Sequence, residues 1–164
     1  MKYNEDTIDR LYNKSLAKAQ QLLSLLPVAE RRNPNVKGLN GWVYEQTIHH
    51  CLLEELAKLG QFPTIEEQVS LGGRAKIDLL VNNTIAIEVK VAGSFGESDE
   101  KYSFYRVKAE EKGWTYCYIT RTEVHKPYRL ITTSVFGNEY AFFLDIKGDW
   151  QRFVKVIVNK LRGE

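Results

Sequence analysis

Arg74 to Ala92 reads RAKIDLLVNNTIAIEVKVA. Two apolar runs of strand length flank Asn82-Asn83, a turn signal, so the stretch predicts a β-hairpin. Three ionisable side chains interrupt the apolar pattern: Asp78 in the first run, then Glu88 and Lys90 in the second. Residues two apart on a strand share a face, which makes Glu88 and Lys90 neighbours. Ile85, Ile87, Val89 and Val91 take the opposite face and form a core surface. The parity of the turn decides where Asp78 goes. A strict two-residue Asn82-Asn83 loop pairs Asp78 with Ile87 and turns it away from Glu88. An odd loop, such as Asn82 to Thr84, or a bulge puts both acids on one face. One of these is expected.

Working outward on the N-terminal side, Thr64 to Leu71 alternates as a strand that Gly72-Gly73 turns into the hairpin. Before it, Leu39 to Leu59 predicts a helix with Trp42, Ile48, Leu52, Leu56 and Leu59 as its apolar stripe, ended by Gly60. Glu30 to Asn35 is a polar, proline-bearing loop. Asn4 to Leu26 is a first helix carrying Ile8, Leu11, Leu16, Ala19, Leu22, Leu23 and Leu26 at helical spacing. On the C-terminal side, a loop over Gly93 to Ser98 leads to a charged helix from Asp99 to Lys112 and a strand from Thr115 to Thr120. Tyr128 to Phe136 and Tyr140 to Ile146 read as a hairpin about Gly137-Asn138. Asp149 caps a last helix with Trp150, Phe153, Val154, Ile157 and Leu161 inward. Helix, strand, strand, strand, helix, strand predicts an α/β fold around a mixed sheet, with an extra helix before it and a hairpin and helix behind.

The 164 residues suit a single domain over 1–164, with its core at about 38–120. A hydrophobic fraction of 43% and a charged fraction of 27% exclude a disordered composition. A net charge of +2 neither demands nor excludes nucleic acid. No apolar run approaches the roughly 20 residues that cross a bilayer. Cys51 and Cys117, with no signal peptide ahead of them, are expected as buried thiols in a soluble cytoplasmic protein. No Cys/His spacing suggests zinc.

Glu45 joins the hairpin acids. At about 100° per residue it lies within about 40° of His49, Leu52, Leu56 and Leu59, on the apolar stripe of its helix. Glu54 points away and Glu55 sits at the stripe's edge. An inward carboxylate is costly unless cations or donors meet it; a half-exposed glutamate favoured by the helix dipole is the plain alternative. A surface ion pair equally explains an isolated Glu-Val-Lys triplet. The combination says more. Three acids converging in a cleft suit a hard cation such as Mg2+, and a lysine beside them suits phosphodiester hydrolysis.

Gly41-Trp42-Val43-Tyr44-Glu45, then Ile77-Asp78, then Ile87-Glu88-Val89-Lys90, resembles the PD-(D/E)XK nuclease superfamily over about Gly38 to Thr120. The resemblance implies the restriction-endonuclease-like fold, an αβββαβ core with a mixed central sheet flanked by helices. It makes Asp78, Glu88 and the Val89 backbone carbonyl the metal ligands and Lys90 the catalytic lysine. Glu45 becomes an auxiliary acid, meeting the metal directly or through water. It implies Mg2+ as cofactor, Mn2+ as its substitute and DNA as substrate. Ile77 stands where the family carries proline. Tyr102, Tyr105 and Arg106 are candidates for a polar residue from the following helix, without a motif match.

Arg31, Arg32 and Lys37, then Arg74 and Lys76, then Arg106, and finally Arg121, His125, Lys126 and Arg129 are candidate phosphate contacts. Each group is more often plain solvated surface. The expected activity is a metal-dependent deoxyribonuclease, an endonuclease first of all. A silent nuclease-fold module that binds DNA or assembles, and a structure-selective nuclease such as a junction resolvase, are the alternatives. The leucine-rich first helix and tyrosine-rich tail offer a homodimer face or ordinary core packing.

Overall fold

The structure, a computed structural model, describes residues 1–27, 38–93, 99–123 and 126–164. Helix α1 spans Glu5–Leu23 and starts with a capping box: the Asn4 side chain accepts from the Thr7 N–H at 2.9 Å, and the Thr7 hydroxyl accepts from the Asn4 N–H at 2.8 Å. Helix α2 (Leu39–Lys58) precedes strands β1 (Ile65–Gly72), β2 (Ala75–Val81) and β3 (Ile85–Gly93). Helix α3 (Asp99–Glu111), strand β4 (Thr115–Glu123), helix α4 (Lys126–Phe136), strand β5 (Ala141–Phe143) and helix α5 (Asp149–Arg162) complete the chain. The sheet runs β1-β2-β3-β4-β5. Its first two pairings are antiparallel and its last two parallel, so the sheet is mixed as expected.

Strand alternation sorts the core into two layers. Leu79, Val81, Ile85, Ile87, Val89, Cys117 and Ile119 pack against residues of α1, α2 and α5, among them Tyr12, Ile48, Leu52, Trp150 and Phe153. Their strand neighbours Leu80, Ala86, Tyr116 and Tyr118 face Tyr102 and Ala109 of α3 and Phe136 of α4. With both faces covered, the central strands read as nearly continuous apolar runs.

The expected C-terminal hairpin is corrected. Residues from Tyr128 to Phe136 belong to helix α4, and Tyr140 to Ile146 contributes only the short β5, which lies parallel to β4 through Tyr118↔Ala141, Ile119↔Phe142 and Thr120↔Phe143. A parallel neighbour needs a crossover, and α4 supplies it. The β-branched residues Ile131, Thr132, Thr133 and Val135 favour a strand locally, but their spacing also builds a helical face. Thr132 and Phe136 are buried on that face, Ile131 and Val135 pack beside them, and the Thr133 hydroxyl donates to the Arg129 carbonyl at 2.8 Å.

The apolar stripe of α2 also shifts. Ile48, Leu52 and Leu56 are fully buried, whereas Trp42 is 56% exposed and Leu59 lies at the surface. Glu55, placed at the stripe's edge by the wheel, is 1% exposed because its Oε1 accepts from the Tyr3 backbone N–H at 2.6 Å. The segment before α1 closes over this end of α2. Cys51 and Cys117 are free, buried thiols. Among the described residues, no helix is long and apolar enough to cross a membrane. The loops at 30–35 and 94–98 lie outside the described residues.

Candidate functional site

The β2–β3 connection has odd length. Val81↔Ile85, Leu80↔Ala86 and Leu79↔Ile87 are paired, leaving Asn82, Asn83 and Thr84 as the loop. Asn82 and Asn83 both adopt left-handed backbone (φ 48° and 55°), which asparagine tolerates better than most side chains. The Thr84 N–H donates to the Val81 carbonyl at 3.0 Å, and the Asn82 side chain accepts from the Thr64 N–H at 2.9 Å. The paired register ends at Leu79↔Ile87, and just beyond it the Asp78 and Glu88 side chains both reach Lys90, so the two acids converge.

The two acids are joined through backbone and lysine. Asp78 Oδ2 accepts from the Val89 N–H at 2.7 Å and stands 3.5 Å from Lys90 Nζ. Lys90 Nζ lies 2.6 Å from Glu88 Oε1, and Glu88 Oε2 accepts from the Tyr116 hydroxyl at 3.2 Å. Asp78 and Glu88 are 8% and 2% exposed. A strand residue directs its N–H and C=O to the same side. The Val89 carbonyl therefore opens toward β2 as well, beyond the last paired residues, Leu79 and Ile87.

Glu45 reaches this group through a residue the sequence reading missed. Gln68 on β1 donates through Nε2 to Glu45 Oε2 at 3.1 Å and to Asp78 Oδ1 at 3.4 Å. Gln68 is left-handed (φ 52°), a conformation costing roughly 1–2 kcal/mol for a residue with a Cβ. The break in strand alternation lets consecutive side chains both reach α2. Glu67 meets Gln46 at 2.9 Å and His49 at 2.6 Å, while Gln68 meets Glu45. Tyr116 was missed too. Its signal was its place on the same face as Glu88, two residues before Glu88's register partner Tyr118.

Asp78 and Glu88 share the Lys90 ammonium, with Glu45 tied to Asp78 through Gln68, and the acids crowd one another. Burial, then the charge of Asp78, push the Glu88 carboxyl above its ordinary value despite Lys90. Burial and then Asp78 push the half-buried Glu45 up to about 7. Burial alone would lower Lys90, but Glu88 and Asp78 outweigh it and hold its pKa above the lysine norm. Burial, then Glu88, raise Tyr116, which stays a protonated donor. Tyr102 of α3 stands with its ring centroid 6.0 Å from Lys90 Nζ.

Among the described residues, no three Asp, Glu, His or Cys side chains stand gathered as a ready metal-ligand set. Mg2+ does not require one, since it binds through one or two carboxylates and keeps several waters. Asp78, Glu88 and the Val89 carbonyl could offer such an ion hard oxygen donors.

The candidate phosphate contacts are less convergent. Arg31, Arg32, Lys37 and His125 lie outside the described residues, as does the side chain of Lys126. Arg74 and Lys76 are exposed at the β1–β2 turn and the start of β2. Arg106 bonds Glu110 at 2.7 Å and the Val135 carbonyl, so it ties α3 to α4. Arg121 pairs with Asp9, and Arg129 with Asp145. A cavity of about 720 Å³ beside α1 is lined by Glu5, Asp6, Asp9, Arg10, Arg121 and Asp145, apart from the Asp78 group.

No family model matches the chain, and no curated protein or solved structure matches it significantly.

Proposed function

We propose that the chain is a cytoplasmic, metal-dependent nuclease of restriction-endonuclease-like fold that hydrolyses phosphodiester bonds in DNA. The observation that carries this reading is the Lys90 ammonium set between Asp78 and Glu88, 3.5 and 2.6 Å away, on a hairpin of odd loop length. The order α2-β1-β2-β3-α3-β4 around a mixed sheet supports it.

Asp78, Glu88 and the Val89 carbonyl offer oxygens to Mg2+ or Mn2+, with Glu45 joining through water. When bound, the ion acidifies a water and screens the phosphate charge. Lys90, kept protonated by its two acids, donates to the charge that develops on the phosphate oxygens. It is therefore not the general base. Glu45, with a carboxyl near 7, can hold or release a proton at neutral pH. Tyr116 fixes the far oxygen of Glu88.

The test is cleavage of plasmid and branched DNA with Mg2+ or Mn2+. Lys90→Ala and Asp78→Ala should each abolish it. Cleavage unchanged in both variants overturns the assignment. Binding of DNA by a wild-type protein that takes up no metal in calorimetry would point instead to a module that holds DNA without cutting it.

A further inference from the structure

We propose that Gln68 is the positioning residue of this site, its carboxamide setting the separation of Glu45 on α2 from Asp78 on β2. The proposal rests on the nuclease reading above. Its geometry is specific. A carboxamide nitrogen carries two protons, and here Nε2 donates to both acids, at 3.1 and 3.4 Å. Gln68 bridges the helix acid and the hairpin acid, which come from separate elements 33 positions apart in the chain.

The backbone makes the same point independently. Gln68 lies at φ 52° within β1, while Glu67↔Leu79 and Val69↔Ile77 keep the ladder in register on either side. Within β1, Gln68 is the non-glycine residue with left-handed backbone. Gln68 is exposed overall, and an exposed glutamine is free to point its amide into water. Instead the chain holds an unfavourable conformation that turns the amide onto two carboxylates. Non-glycine residues held in left-handed backbone concentrate where geometry serves function. A carboxylate at this position would add repulsion between Glu45 and Asp78, whereas a neutral double donor draws them to a common atom.

Gln68→Asn and Gln68→Gly test this without the ambiguity of misfolding. Both tolerate left-handed backbone better than glutamine. Asparagine keeps the amide but is one methylene too short to span the two acids, and glycine removes the amide. Wild type and both variants are compared for thermal unfolding, Mg2+ affinity by calorimetry, and kcat and KM for DNA cleavage.

The expected result is unchanged or raised melting temperature with kcat lowered about 10- to 100-fold, KM nearly unchanged, and Mg2+ affinity weakened. Gln68→Glu, which restores length with the wrong charge, should not recover activity. Variants that cut as fast as an active wild type overturn the role of Gln68 and leave the nuclease reading standing. A folded wild type that neither binds Mg2+ nor cuts DNA overturns that reading, and the role of Gln68 with it.

Discussion

Asp78 and Val89 are joined by a hydrogen bond of 2.7 Å in which the backbone N–H of Val89 donates to the Asp78 carboxylate. Beyond Leu79↔Ile87 the acid side chain takes the place of the next rung of the β2–β3 ladder. Asp78 thus has a structural task and, under the proposed function, a chemical one, and substitutions should separate them. Asp78→Asn retains an oxygen for the Val89 N–H but loses the charge. Asp78→Ala leaves a buried donor unmet, at about 1–3 kcal/mol. Urea unfolding should rank the proteins wild type, Asn variant, Ala variant, with neither variant cutting DNA. Equal stability of the two variants would mean that the bond to Val89 does not hold the hairpin together.

Lys90 is the counter-charge of a carboxylate that water barely reaches. Removing it in Lys90→Met strands Glu88, 2% exposed, beside Asp78. The cost at pH 8.5 should be on the order of 3 kcal/mol. Its pH dependence follows from the direction of the Glu88 shift. A carboxyl raised in the folded state binds its proton more tightly than in the unfolded chain, so stability grows as pH falls through the folded pKa. The penalty of Lys90→Met should therefore be smaller at pH 5.5 than at pH 8.5, because a raised carboxyl takes up its proton more readily as pH falls. Urea titrations at both pH values measure it. An identical, small cost at both would reduce Lys90 to a surface ion pair.

The residues differ in how far sequence betrayed them. Asp78, Glu88 and Lys90 were readable because charges stand out against strict alternation, and face parity forced the odd loop that Thr84 completes. Helix periodicity put Glu45 on the side of α2 that carries Leu52 and Leu56, with a half-exposed glutamate as the plain alternative, and it is half-buried there. Gln68 left no trace. Left-handed backbone is signalled by Gly or Asn, and a glutamine inside an alternating strand reads as an ordinary solvent-facing residue. Glu55 was misplaced for another reason: its partner, the Tyr3 N–H, lies 52 residues away, beyond any local pattern. In α4, local preference of Ile131, Thr132 and Val135 pointed to a strand and lost to the burial of Phe136 and to the crossover that parallel β5 requires. The sheet's central strands and the acids on them were legible; contacts made at long range were not.

Glu45 carries its own pH signature. Its carboxyl is raised to about 7, by burial first and by Asp78 next. The folded state holds this proton more tightly than the unfolded chain. Stability from this group is therefore full below about 4.5, the ordinary value, declines as pH climbs to about 7, and is flat above. Glu45→Gln removes the ionisation while keeping an oxygen for Gln68. It should be more stable than wild type at pH 8 and equal to it near pH 4.5, measured by thermal unfolding in the absence of divalent ions. A variant destabilised equally at both pH values would show that Glu45 is not under charge pressure.

Mg2+ should relieve that same pressure in the intact protein. Glu45, Asp78 and Glu88 bring three negative charges against the single charge of Lys90, within one hydrogen-bonded group. An ion that binds only the folded state stabilises it by about 2.7 kcal/mol at 100 times its Kd, independent of any DNA. For a chain of 164 residues this corresponds to a rise in Tm of roughly 5–10 °C. The rise should be larger at pH 8 than at pH 5.5, because protons compete for Glu45 and Glu88, whose carboxyls are both raised. Asp78→Asn and Glu88→Gln should each abolish most of it, while Arg106→Ala, which loses only the tie between α3 and α4, should lower Tm and keep the increment. A Mg2+ shift of the same size in Glu88→Gln as in wild type would place the ion elsewhere on the surface and remove the metal from this site.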